Sequence, residues 1–409
     1  MQFKQSQSFA YTAVLLGLAT LADASPLQKT HPRATAFDPS SATQAEFASH
    51  ALEVAQSQIA NSSTCSPENT SVRKPWENLT SDERIAYTDA LNCLMGKPAK
   101  TPSDVAAGAK TRYDDFIVTH INQTLSIHST ANFLGWHRWF IWEMEQTLRN
   151  ECNYTGSIPY WDWTKTAEEG FANSEMFDGS ATSLSGNGVP VNYTDSDVII
   201  SNNGTSAEVV LPHGTGGGCV TSGPFANMTV NLGPDGLLVI NGSDSSAWEF
   251  NYNPRCFKRD LTDYSLQRYA NTSSVLSLLR DSEDIWTFET VMQGPEGVPE
   301  LGVHGGGHYA LGGDPGRDVY TSPGDPAFWS HHANIDRVWW MWQMQDPDVR
   351  AGSVSTAIRG PLTTNNLYEP YGNGTLLSEQ DLGYVADWET VPLGELLSTT
   401  SGKFCYVYE

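Results

Sequence analysis

The 409 residues are enough for a sizeable hydrophobic core, and their formal net charge of -24 argues against nucleic acid, which needs basic patches. Only 17% of residues are charged, with the acids dispersed rather than gathered in a tail, so the charge says little about a substrate. The six cysteines are an even number with no close C-x-x-C pair, which favours disulfides over a zinc site.

The amino terminus reads as a secretory signal peptide over residues 1–24. Lys4 precedes the apolar run Tyr11–Ala22, and Ala22-Asp23-Ala24 supplies an A-x-A cleavage pattern. The run is too short to span a bilayer comfortably, and no second candidate follows, so no membrane partner is expected. Residues 25–41 read as a pro-segment or flexible start, and 42–409 as a single domain without an internal repeat. Eleven N-x-S/T sequons, at Asn61, Asn69, Asn78, Asn122, Asn153, Asn192, Asn203, Asn227, Asn241, Asn271 and Asn373, point to a secreted, extracellular glycoprotein.

Residues 42–151 carry helical patterning. "TSDERIAYTDALNCL" opens with a capping-box signature, Thr80 or Ser81 ahead of Glu83 and Arg84. "DVAAGAKTRYDDFIVTHINQTL" continues it, and "FLGWHRWFIWEMEQTLR" has an apolar face including Trp136, Phe140 and Met144. From Phe171 to Ser246 the pattern dissolves into Gly, Ser, Asn and Thr, predicting long loops with a few short strands such as "GLLVING". Helical spacing returns in "SVLSLLRDSEDIWTFETVM" and in "HHANIDRVWWMWQMQ", which Pro347 should stop.

Six of the ten histidines form two groups of three. His120, His128 and His137 follow H-x7-H-x8-H; His304, His308 and one of His331 and His332 follow H-x3-H-x23-H. An ordinary hydrogen-bonded histidine would explain any single one. It does not explain two triads that each end in F-x-x-x-H ahead of a helix, Phe133 to His137 and Phe328 to His332. Neutral imidazole is the commonest metal ligand near physiological pH, and a centre with three nitrogens keeps room for oxygen ligands. No carboxylate or cysteine stands at ligand spacing, so copper suits the set better than zinc.

With these motifs the chain resembles the tyrosinase and catechol oxidase family of binuclear type 3 copper proteins. The resemblance rests on "RKPWENLTSDERIAYTDALNCL", "FLGWHRWFIWEME", "IPYWDWT", "DPAFWSHHANIDRVWWMWQ" and the terminal "YVY", from Arg73 to Tyr408. It implies a mainly α fold, an antiparallel four-helix-bundle core holding a dicopper centre, with long loops and a few short strands. It implies that His120, His128 and His137 bind the first copper and His304, His308 and His332 the second, with dioxygen as co-substrate. His331, Asp336 and Phe328 would then lie behind or against the ligands, Asp336 orienting an imidazole and Arg337 pairing with Asp336.

Two departures from the family pattern bear on the reaction. Ser126 stands two residues before His128 and no cysteine lies between Cys93 and Cys152, so the thioether that many relatives form to this histidine is not expected. Gly305 occupies the position after His304 where tyrosinases often carry an asparagine, thought to hold a water with a nearby glutamate for monophenol deprotonation. Glu300 is the expected match for that glutamate, with Glu296 as a second choice; without the amide it is a poorer general-base station. Gly305, Gly306 and Gly307 are read as an open face beside the copper, tight backbone packing being the alternative. Val319, thirteen residues before His332, replaces a bulky phenylalanine gate and suggests an open entrance. The chain ends at the Y-x-Y motif, so a carboxy-terminal plug domain is not expected.

The resemblance thus implies oxidation of o-diphenols to o-quinones with dioxygen reduced to water, acting on small phenolic substrates. The alternatives are a tyrosinase that also hydroxylates monophenols or oxidises o-aminophenols, and a haemocyanin-like dioxygen carrier. The sequence carries no signal of oligomeric state.

Overall fold

Three of the long helices begin at a threonine that caps its own first turn. Thr43, Thr80 and Thr111 accept the N–H of Glu46, Glu83 and Asp114, whose carboxylates return the bond to the threonine N–H. Each box satisfies two otherwise orphaned donors. The three helices are α1 (Gln44–Ile59), α2 (Ser81–Met95) and α3 (Arg112–Ile127), followed by α4 (Phe133–Cys152) and the short α5 (Trp163–Glu169). In the second half come α6 (Asp263–Tyr269), α7 (Thr272–Asp281), α8 (Ile285–Gln293), α9 (Gly302–Leu311), α10 (Ala327–Gln343) and α11 (Pro347–Arg350).

These elements come from a computed structural model that describes residues 37–194, 197–201, 208–235, 250–295, 298–352, 355–364 and 373–409. The chain divides after Phe37, and Asp38–Glu409 holds every element above. The signal-peptide residues, Asn203, Asn241, Glu296 and the "GLLVING" strand lie outside the described residues.

The fold is mainly helical, as expected. Helix α4 packs along α10, α3 against α4, and α9 against α10, which gives the four-helix core. Every residue of α10 is buried, so this helix is enclosed all round rather than amphipathic. Trp136, Trp139, Phe140, Trp329, Trp339 and Trp340 fill the space between these helices, each 1% exposed or less. Burying each such ring contributes roughly 1.5–3 kcal/mol.

Around the core run loops and two-stranded sheets. Ser71–Arg73 pairs in parallel with Tyr406–Tyr408, so the terminal Y-x-Y motif is a strand. Gly188–Pro190 with Gly217–Val220, Asp197–Ser201 with Glu208–Pro212, Thr229–Val230 with Arg255–Cys256, and Glu379–Asp381 with Thr390–Pro392 pair antiparallel. Three disulfides, Cys65–Cys405, Cys93–Cys152 and Cys219–Cys256, take all six cysteines. None remains to link to His128.

Three helix boundaries differ from the sequence reading. The segment from Asp104 is not helical until Arg112, because Thr111 provides the cap and Gly108 lies against the Asn251 backbone where a Cβ would clash at 2.7 Å. "SVLSLLRDSEDIWTFETVM" is two helices: Ser282 ends one in extended backbone, and Asp284 caps the next through the N–H of Thr287. Helix α10 ends at Gln343, and Pro347 opens α11 at its first position, where its missing N–H costs nothing.

Candidate metal centre

Helix α3 carries His120 and ends at His128, α4 carries His137, α9 carries His304 and His308, and α10 carries His332. The four helices bring these rings into two facing groups. In the first, the ring centroids of His120, His128 and His137 are 5.1, 5.2 and 5.7 Å apart. In the second, those of His304, His308 and His332 are 4.8, 5.3 and 5.4 Å apart. His137 stacks on His332 at 4.5 Å and 14°, and His128 on His304 at 5.7 Å and 27°, so the groups share one interior. In each group one nitrogen per ring lies within 4.8 Å of the others, a spacing that could hold a metal ion.

The hydrogen bonds decide which nitrogen is free. His120 Nδ1 donates to the Tyr320 carbonyl at 2.8 Å, His128 Nδ1 to Thr124 at 2.9 Å, His137 Nδ1 to Phe133 at 2.7 Å and His308 Nδ1 to Gly316 at 3.1 Å. A proton on Nδ1 leaves the Nε2 lone pair for a ligand. The Nε2 atoms of His120, His137 and His304 are buried without a hydrogen-bond partner among the described residues. Orphaned buried acceptors of this kind are rare unless something binds them. Burial also keeps the rings neutral: it pushes His128 down to about 4 and His308 down to about 3, and holds His120, His137, His304 and His332 well below the usual histidine range. The donor set therefore fits two copper ions.

The F-x-x-x-H spacing acquires a cause in the first group, where the Phe133 carbonyl one turn back holds His137. In the second the phenyl ring acts instead: Phe328 packs on His332 at 4.2 Å, on His120 at 5.5 Å and on His308 at 5.9 Å, bridging both groups. His331 points its Nε2 at the His304 carbonyl, 3.0 Å away, so that nitrogen carries the proton and braces the backbone of α9.

The glycines between His304 and His308 serve three different neighbours. A Cβ on Gly307 would lie 2.2 Å from the His331 ring, and one on Gly306 would lie 2.8 Å from the Tyr269 Cβ of α6. For these two, tight packing is the reason. Gly305 is the least crowded of the three, but a Cβ there would still lie 3.0 Å from the Leu301 Cβ, so the expected open face is not seen at any of them.

Two expected roles are corrected. Asp336 does not orient an imidazole and does not pair with Arg337. Its carboxylate takes Arg138 Nε at 2.6 Å and the hydroxyls of Tyr406 and Tyr408 at 2.6 and 2.5 Å, with Arg73 at 3.5 Å. Arg337 turns to the Tyr160 ring and the Glu409 carbonyl, because successive helical residues point about 100° apart. Arg138 follows His137, and Asp336 lies one turn after His332, so their ion pair ties α4 to α10 beside the histidines. Glu300 is a surface residue, 41% exposed and paired with Arg268 at 2.5 Å, and the structure does not bring it to the histidines. Val319 is 44% exposed, next to the Tyr320 whose carbonyl holds His120.

One carboxyl group escaped the sequence reading. Glu289 is buried on α8, the helix packed against α9, with Oε2 unpartnered and burial holding its carboxyl well above the usual carboxylate range. One turn on, Gln293 Oε1 accepts the N–H of Ser129, the residue after His128. The signal was present: in "IWTFETVMQ" the glutamate occupies the apolar stripe with Ile285, Phe288 and Met292.

Known proteins resemble this chain in sequence and fold. Residues 110–345 match the common central domain of tyrosinase. Tyrosinase P of Aspergillus terreus is 39% identical over 341 residues, covering 82% of this chain and 91% of its own. The N-acetyl-6-hydroxytryptophan oxidase of Emericella nidulans is 35% identical over 358 residues, 84% of this chain and 94% of its own. Among solved structures, a single-residue variant of polyphenol oxidase from Thermothelomyces thermophila superposes with a TM-score of 0.79 at 41% identity, covering 89% of this chain and 97% of that one.

Proposed function

The chain belongs to the tyrosinase family, and on that premise we propose that it is a secreted catechol oxidase, converting o-diphenols to o-quinones at a dicopper centre. His120, His128 and His137 hold one copper; His304, His308 and His332 hold the other. Bound copper supplies the electron transfer that takes two diphenols to two quinones while one dioxygen becomes two waters. The protein's share is positional. The carbonyls of Tyr320, Thr124, Phe133 and Gly316 fix the tautomers, and the surrounding aromatic rings exclude bulk water. Val319 leaves the mouth open to substituted rings.

The choice of diphenols over monophenols rests on Gly305. It places no polar side chain beside His304, and Glu300, the expected partner for a water, is engaged on the surface. The competing reading, substantial monophenol hydroxylation, has Glu289 in its favour, a buried carboxyl on the helix against α9. Burial favours its protonated form, which makes it a poor base. Oxygen uptake on matched catechol and phenol pairs separates the two readings. Gly305→Asn should raise the monophenol-to-diphenol rate ratio; an unchanged ratio in a folded, copper-loaded variant would remove the argument.

A further inference from the structure

A cavity of about 370 Å³ lies between α4, the start of α3 and the loop at 385–389, and none of the six metal-site histidines is in its wall. On α4 the wall is Glu143, Thr147, Asn150 and Glu151, spaced so that they share one face of the helix. Glu143 is six residues past His137, roughly 9 Å further along the helix axis. The only apolar residues in the wall are Val385 and Ala386. Aromatic ligands are held in mostly apolar clefts, so this cavity does not suit a phenol.

Charge is unevenly shared around it. Arg112 takes Glu151 and Asp115, each at 3.1 Å, Lys100 takes Asp387 at 3.3 Å, and Lys403 takes Glu389 at 2.8 Å. Three cations thus already meet four carboxylates, and Glu143 is a fifth, with no ion pair among the described residues. Burial raises its carboxyl above the ordinary carboxylate range, although Lys403 and Arg112 favour the ionised form. Thr147 is 4% exposed, yet its hydroxyl has no hydrogen-bond partner among the described residues. Polar groups buried to this degree are normally paired. The carboxylates do not converge as metal ligands do: among the described residues only the two histidine groups bring three ligand atoms within 4.8 Å. A molecule with separated cationic groups fits such a wall better than a single ion.

We propose that this cavity binds a small aliphatic polyamine, with Glu143 and Thr147 accepting N–H groups from its ammonium ends. Hydrogen bonds between two charged partners are the strong ones, and Glu143 has no protein cation to give up in making one. The walls come from α3 and α4, which carry His120, His128 and His137, so a bound amine also ties these helices together. The site does not depend on the proposed oxidation.

The test titrates spermidine calorimetrically into the copper-loaded protein. One spermidine per chain is expected, weakened about tenfold in Glu143→Gln and about threefold in Thr147→Val. Spermidine should also raise the Tm of the unaltered protein, and by less in either variant. Glu208→Gln, which removes an exposed carboxylate on the strand Glu208–Pro212, should leave the affinity unchanged. Equal affinity in Glu143→Gln and Thr147→Val overturns the proposal. So does an equal loss in Glu208→Gln, which would mark a general attraction to a chain of net charge -24. Calcium bound in a Glu143-dependent way, with no spermidine bound, would make the site an ion site and overturn the amine.

Discussion

In the group His120, His128 and His137 every ring is held from behind by a backbone carbonyl; in the group His304, His308 and His332 only His308 is. Two of the first group's carbonyls lie one helical turn earlier in the chain, so that group is largely a local product of α3 and α4. The second is assembled by ring packing. Phe328 lies on His332, and His331 braces the α9 backbone from a pocket that exists because residue 307 is glycine. A site held by backbone tolerates changes in neighbouring side chains. One held by packing depends on each of them.

The largest effects should come from the ligands themselves. His137→Ala and His308→Ala should each abolish turnover, beyond the roughly 10–100-fold loss typical of residues behind a ligand. Substantial activity in either would break the pairing of the two groups. Next comes the tie between them: Asp336→Asn leaves Arg138 buried without its counter-charge and should cost about 3–5 kcal/mol, read by denaturant unfolding. If stability holds, Asp336 is not what joins α4 to α10. Gly307→Ala should cost about 1–3 kcal/mol and lower copper content from two towards one per chain, because the added methyl displaces His331. Loss of both coppers together would mean that the groups are not independently held.

The smallest effect concerns Glu289 and depends on pH. Its folded-state pKa is raised above the ordinary 4.5, so its contribution to stability is complete below that value and is lost as pH rises towards the folded one. Glu289→Gln removes the loss. It should raise Tm by about 1–3 °C at pH 7 and leave it unchanged near pH 4. The same gain at both values would show that charge is not the cause.

The histidine spacing was legible because a metal centre on helices leaves a repeating signature, and so was the helix start at Thr80, where the cap is local; the cap at Thr111 was passed over because the apolar pattern already ran from Asp104. Glu300 was misplaced because four residues in sequence were taken for proximity in space, whereas Arg268, 32 positions away, holds it. Asp336 found its partners 70, 72 and 198 residues away, beyond the reach of any helical-turn argument. The three glycines looked like one feature. Their neighbours are Leu301 just ahead of α9, Tyr269 of α6 and His331 of α10, and only the folded chain separates them.

The most direct test of two histidine groups working as one oxidase is copper content measured alongside oxygen uptake on catechol. Two coppers per chain, with one dioxygen consumed for every two catechols, is the predicted result. Full copper loading without oxygen consumption, or oxygen bound reversibly with no quinone formed, would contradict it.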